Sequence, residues 1–274
     1  MKKILIPTDF SSCANNAAEF AMQLAKKAKS EIHFLHILNT PVEWRSLRKE
    51  QEKNFPETLR QIGHAKAELT RLELKAKKAG LKVKVSLAYG NDDVAGHLKE
   101  YGCDFIVMGS HGAEGLKELI GSNTQKVVRY APVPVMVVKD KPKKFIFKNV
   151  VFASTFEEDI QQPFKKVLEF SQLFNAGIHL LYVNMPFKFK TTKEAEADMN
   201  KLLKKYPKVS CSINIYNSRD EEQGIQAFAE DVKADVIALT THGKTGFMKM
   251  LSPSITESIV NHSDKPVLSV NIKK

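Results

Sequence analysis

The first apolar run of the chain ends in Pro7-Thr8-Asp9, and Asp9 is the first carboxylate in the sequence. A carboxylate just past a strand can accept hydrogen bonds from a ribose or an adenine amine. Taken alone it is equally a cap for the helix that follows. Further on, Met108-Gly109-Ser110-His111-Gly112 carries two glycines three apart, a spacing that lets a backbone approach a ligand closely. Gly121-Ser122-Asn123-Thr124 then opens a segment of helical spacing. Free N–H groups at a helix start, with hydroxyls added, form an anion site that suits phosphate. Each feature singly is also an ordinary capped turn. The combination of Asp after the first strand, G-x2-G after the fourth and Gly-Ser at a helix start is a far more specific signal.

Other chemistry is weakly signalled. The sequence holds no GxxxxGK[ST] and so no P-loop lysine. His111 and His242 fall at equivalent turns, which suggests a role in the turn, and no metal site is expected. Ser110 beside His111 does not place a base against a nucleophile. Cys13, Cys103 and Cys211 are far apart and form no CxxC, which argues against a disulfide framework. Cys13 is read as a small half-buried residue rather than a reactive thiolate.

These residues depend on elements that recur. IHFLHIL from Ile32 aligns with IHLLYVN from Ile178 at an offset of 146, and ILIPTDFS from Ile4 aligns with VVFASTFE from Val150 at the same offset. DFIVMGSHG from Asp104 matches DVIALTTHG from Asp235 at 131, and PVMVV from Pro134 matches PVLSV from Pro266 at 132. Four blocks in one order describe a tandem repeat. The first copy has a longer connection after its second strand. In each copy, near-continuous apolar strands alternate with amphipathic segments, which in the first are Cys13 to Lys27, about Glu57 to Lys78, Asp92 to Lys99 and Asn123 to Tyr130. The segment from Trp44 to Lys78 reads as a helix with a flexible entry. The fold class is α/β: two Rossmann-like domains, each a five-stranded parallel sheet with helices on both faces. Domain one is expected at 1–140 and domain two at 146–274, joined by the charged linker Lys139 to Lys144. Ligands of such sheets sit outside the carboxyl ends of the strands, where strand order reverses.

Composition narrows the class. The chain has 274 residues, of which 43% are hydrophobic, enough for packed cores. No stretch approaches the ~20 apolar residues of a membrane span. Asp9 interrupts the N-terminal apolar run, so it reads as a strand rather than a signal peptide, and a cytoplasmic location is expected. The net charge is +11, but the lysines are spread over helix faces beside glutamates, and nucleic acid is not the expected main partner.

On these residues the chain resembles the universal stress protein family over nearly its whole length, in both halves. The ATP-binding branch of that family carries G-x2-G-x9-G-[ST] after strand four. Gly109 and Gly112 match the first part and Gly121-Ser122 the end, with eight residues between Gly112 and Gly121 instead of nine. The resemblance implies an adenine nucleotide alpha hydrolase-like fold, with ATP or another adenine nucleotide, and Mg with it, in copy one. It implies that Pro7, Thr8, Asp9 and Ile37 hold the nucleoside and that Met108 lies beside the adenine. Gly109 and Gly112 would allow close approach, while Gly121, Ser122, Asn123 and Thr124 face phosphate. Copy two departs from the pattern, with Thr155 for Asp9, Thr240 for the first glycine and Pro253 at the late glycine position. It is expected to have lost nucleotide binding and to serve as a partner domain. The expected role is a stress-response regulator with at most slow ATP hydrolysis. The alternative is a nucleotide-free interaction scaffold. The halves are expected to pack through PVMVVKD and PVLSVNI, and chains to pair again into a four-domain assembly.

Overall fold

The computed structural model describes residues 1–90, 101–110, 121–140, 145–157, 159–242 and 253–272. The expected helix Asp92 to Lys99, the turn residues His111 and Gly112, and most of the linker lie outside the described residues. The first half runs β1 (Lys3–Pro7), α1 (Ser12–Ala28), β2 (Glu31–Leu38), α2 (Lys49–Glu52), α3 (Pro56–Lys78), β3 (Val83–Tyr89), β4 (Phe105–Gly109), α4 (Ser122–Tyr130) and β5 (Val135–Val138). The second runs β6 (Asn149–Ala153), α5 (Gln161–Phe174), β7 (Gly177–Asn184), α6 (Thr192–Leu203), β8 (Cys211–Asn217), α7 (Glu221–Asp231), β9 (Val236–His242), α8 (Pro253–His262) and β10 (Val267–Ile272).

Local chemistry explains the boundaries. Ser11 starts α1 by accepting the Ala14 amide on its side chain, and a stripe of alanines lets the helix lie close to the sheet. Lys29 ends it in the left-handed region at φ 53°, and Asn175 ends α5 in the same way at φ 52°. Pro56 sits at the start of α3, where its missing N–H costs nothing. The segment before it is ordered rather than a loose entry. Trp44 is buried, with its ring 6.1 Å from Phe55 and 6.4 Å from Tyr89.

The strands form one sheet in the order β3-β2-β1-β4-β5-β10-β9-β6-β7-β8. Within each half all pairs are parallel. The halves join where β5 and β10 pair antiparallel, Val137 opposite Val267, Met136 opposite Leu268 and Val135 opposite Ser269. Packing through the last strands was expected. The two five-stranded parallel half-sheets run in opposite directions and form one continuous ten-stranded sheet. Asn271 fastens the join by donating to the Arg129 carbonyl at 3.2 Å.

Helices cover both faces. Ile4 and Ile6 of β1 point into one core cluster with Phe20 of α1, Leu72 of α3, Phe170 of α5 and Met199 of α6. Leu5 points into the other, with Val127 of α4, Phe228 of α7 and Ile259 of α8. Because β1 and β4 are covered twice, they read as continuous apolar runs rather than alternating ones.

Candidate functional site

Strand order reverses between β1 and β4, and the sequence-selected residues fall at the carboxyl ends of these two strands. Pro7 and Thr8 are buried and Asp9 is exposed. The Thr8 amide donates to the Leu35 carbonyl at 2.9 Å, and the Thr8 hydroxyl accepts from the Phe10 amide at 3.1 Å. One Asp9 oxygen accepts the Ser11 amide at 3.0 Å, a turn contact, and the helix cap that the sequence allowed at Asp9 is supplied by Ser11 instead. The other features of this turn were not legible. Phe10 adopts φ 64°, and its ring stacks on His36 with centroids 4.5 Å apart. Nδ1 of His36 lies 2.7 Å from the Thr8 carbonyl oxygen. A carbonyl can only accept, so Nδ1 carries the proton and donates. Burial lowers the His36 pKa, and the Thr8 carbonyl opposes that shift.

At the end of β4, Gly109 has a different reason to be glycine from the expected one. A Cβ there would stand 2.8 Å from the Cys13 carbonyl carbon and 3.0 Å from the Ala14 nitrogen. The close approach it permits is that of the first turn of α1 to β4. Ser110 is buried, and its carbonyl accepts the Gly121 amide at 2.9 Å. Thr124 is also buried, and its hydroxyl donates to the Gly109 carbonyl at 2.9 Å. That proton is therefore engaged, and Thr124 anchors the helix to the strand instead of facing outward to a phosphate. Asn123 is exposed, Ser122 opens α4, and no side chain caps this helix. Met108 is buried on the opposite face of the sheet from α1, and Ile37 packs half-buried against the same cluster. Gly112 lies outside the described residues.

The second half keeps the scaffold and changes the chemistry. The Ser154 amide donates to the Leu181 carbonyl at 3.2 Å, the Ser154 hydroxyl accepts from the Phe156 amide at 3.3 Å, and Phe156 adopts φ 60°. Tyr182 replaces His36, and its hydroxyl donates to the Lys188 carbonyl at 2.9 Å. Thr240 puts a branched side chain where Gly109 admits α1. The helix α5 begins three residues later than the offset of 146 from Ser12 would place it. The hydroxyl oxygens of Thr155, Thr240 and Thr256 are buried without hydrogen-bond partners. Pro253 opens α8 with no N–H to offer.

Among the described residues, no group of three or more His, Cys, Asp or Glu is placed to hold a metal. No helix among them is long and apolar enough to cross a membrane. Burial pushes the Cys103 and Cys211 thiols up to about 11, away from nucleophilic chemistry.

A doubly covered sheet with strand order 3-2-1-4-5 in each half defines a Rossmann-like α/β protein with one crevice per half. A model of the universal stress protein family matches residues 1–139 and again 146–271, and the chain belongs to that family as a tandem two-copy member. Universal stress protein MJ0577 of Methanocaldococcus jannaschii is 31% identical over 159 residues, covering 51% of this chain and 96% of that protein. Universal stress protein Slr1230 of Synechocystis is 24% identical over 300 residues, covering 98% of this chain and 99% of that one. A crystal structure of a universal stress protein from Archaeoglobus fulgidus superposes with a TM-score of 0.75 at 20% identity, covering 98% of both chains, which shows the shared fold.

Proposed function

We propose that the first half, residues 1–140, binds ATP or another adenine nucleotide, and that the chain works as a nucleotide-responsive regulator of a stress response rather than as a fast hydrolase. The observation that carries this reading is the docking of α4. The Gly121 amide and the Thr124 hydroxyl tie its N-terminus directly to Ser110 and Gly109 at the end of β4. The start of α4 has no side-chain cap, and it therefore presents backbone donors at the crevice where strand order reverses. Exposed Asp9 stands at the neighbouring strand end, where its carboxylate would accept from a ribose hydroxyl. Ile37 and Met108 give the nucleoside an apolar flank. Mg would enter with the nucleotide's phosphates. The second half lacks the Asp9 carboxylate, and proline replaces a donor at the start of α8, so it serves as the partner domain.

The deciding experiment is denaturation of the purified chain and mass spectrometry of what it releases, followed by ATP titration. An adenine nucleotide at a substantial fraction of one per chain is expected. Gly112→Val should abolish binding, and Asp9→Ala should weaken it by roughly 10-fold or more, the worth of a hydrogen bond to a charged group. No released nucleotide, together with no heat at ~1 mM ATP, would reject the reading. It would make the chain an interaction scaffold whose shortened Gly112–Gly121 spacing disables the phosphate loop.

A further inference from the structure

The second half has no counterpart of the Asp9 carboxylate, but it buries a different one at the same end of its sheet. Glu221 opens α7 and is 9% exposed. The cap of that helix is its neighbour Asp220, which accepts the Gln223 amide at 3.0 Å. Among the described residues no hydrogen bond or ion pair reaches the Glu221 carboxylate. A buried carboxylate without a partner is costly, and burial pushes its pKa up while Lys188 opposes the shift. Lys190, beyond the end of β7, is engaged elsewhere, its Nζ pairing with Glu157 at 3.0 Å and Asp198 at 2.8 Å.

Two further groups at this end lack partners. Thr155 follows β6 where the first half has Asp9, and Thr256 lies in α8 at the position of Thr124. Thr124 donates its hydroxyl to the Gly109 carbonyl, whereas the hydroxyl oxygens of Thr155 and Thr256 are buried without hydrogen-bond partners. The three groups lie on adjoining elements. The strands β6 and β7 are paired neighbours, and the start of α7 lies on β7, since a Cβ on Gly224 would stand 2.6 Å from Cγ1 of Val183. The first turn of α7 also reaches α8, where Glu222 accepts from the Ser258 hydroxyl and has an oxygen 2.6 Å from Nδ1 of His262. A carboxylate only accepts, so Glu221 calls for a cationic donor, and hydroxyls that both donate and accept suit ligand hydroxyls. The charge of Glu221 disfavours a phosphate, and Pro253 opens α8 without an N–H to hold one. We propose that the crevice of the second half binds a small hydroxylated amine, its ammonium paired with Glu221 and its hydroxyls with Thr155 and Thr256. This adds a ligand to the half read above as a partner domain, and it does not depend on nucleotide binding by the first half.

The test is ligand-observed saturation-transfer NMR on the full chain with serinol, glycerol and isopropylamine as probes. Glycerol carries a hydroxyl in place of the serinol ammonium, and isopropylamine lacks both serinol hydroxyls. Saturable serinol binding is expected below ~10 mM, with each analogue weaker by roughly 10-fold. ATP should not displace it. Glu221→Gln keeps the shape and removes the charge, so it should erase the preference for serinol over glycerol. The same variant should melt no lower than the parent, because the charge it removes has no partner. Should it misfold, Thr256→Val decides, by weakening serinol while sparing isopropylamine. No saturable binding, equal affinity for all three probes, displacement by ATP, a lower melting temperature in Glu221→Gln, or serinol binding unaffected by these substitutions would overturn the proposal. Failure of ATP binding in the first half leaves it standing.

Discussion

Gly109 shows how a residue chosen for one reason can be required for another. As a ligand-facing glycine it would tolerate alanine in the empty protein. Facing α1 it does not, because the added methyl falls 2.8 Å from a backbone carbon that cannot rotate away. Gly109→Ala is expected to cost about 1–3 kcal/mol through displacement of α1, read as a lower urea midpoint without ligand. An unchanged midpoint would return the glycine to the ligand. Titrating side chains give a second expectation. Burial holds His33, His36 and His179 below their ordinary value of 6.5. The unfolded chain therefore binds these protons first, and the stability they permit above that value is lost as pH falls through it. Asp104 acts in the same direction further down. Burial raises its pKa, the Lys2 and Lys3 amides outweigh that and lower it, and its contribution is lost as pH falls below the ordinary carboxylate value of 3.8. The melting temperature should fall from ~pH 7.5 to ~pH 5. A rise over that span would mean that the Glu221 carboxyl, raised by burial and acting in the opposite direction, outweighs the histidines.

At the scale of elements, the strands and the helices α1, α3 and α4 expected from apolar spacing match the described residues closely. Cys13 to Lys27 became Ser12–Ala28, because the Ser11 cap and the alanine stripe are both local signals. The entry to α3 was misread as flexible, because the partners that bury Trp44 include Tyr89, distant in sequence. The join between halves is the element most exposed to test. Three strand positions stand in register across it, and Met136 among them is fully buried. Met136→Asp should cost more than about 3 kcal/mol, since the charge gains no partner. Circular dichroism melting checks this, and a loss under ~1 kcal/mol would mean that the join opens to water.

For the whole molecule, the decisive fact is that one core cluster runs through both halves, holding Ile4 and Phe34 together with Val150 and Phe170. Two domains that share a sheet and a core should unfold together. Scanning calorimetry is expected to give one transition with matching calorimetric and van't Hoff enthalpies, and two resolved transitions would show the halves to be independent. The antiparallel join also sends the two crevices to opposite edges of the sheet, so a ligand in one cannot touch the other directly.

The repeat offsets, the alternation of apolar runs with helical spacing, and the residues after strands one and four were all legible in the sequence. They follow from periodicity and turn chemistry acting over a few neighbouring residues. From them came the order of the ten strands, the helices α1, α3 and α4 of the first half, and the loss of the Asp9 carboxylate in the second half. Tertiary structure alone decided that ten strands form one sheet, that Gly109 serves α1, that Thr124 spends its hydroxyl on Gly109, and that His36 and Phe10 shape the turn carrying Asp9. Each of these depends on atoms brought within a few ångströms from distant parts of the chain, where the side-chain volumes at the contact set the outcome and local spacing carries no record of them.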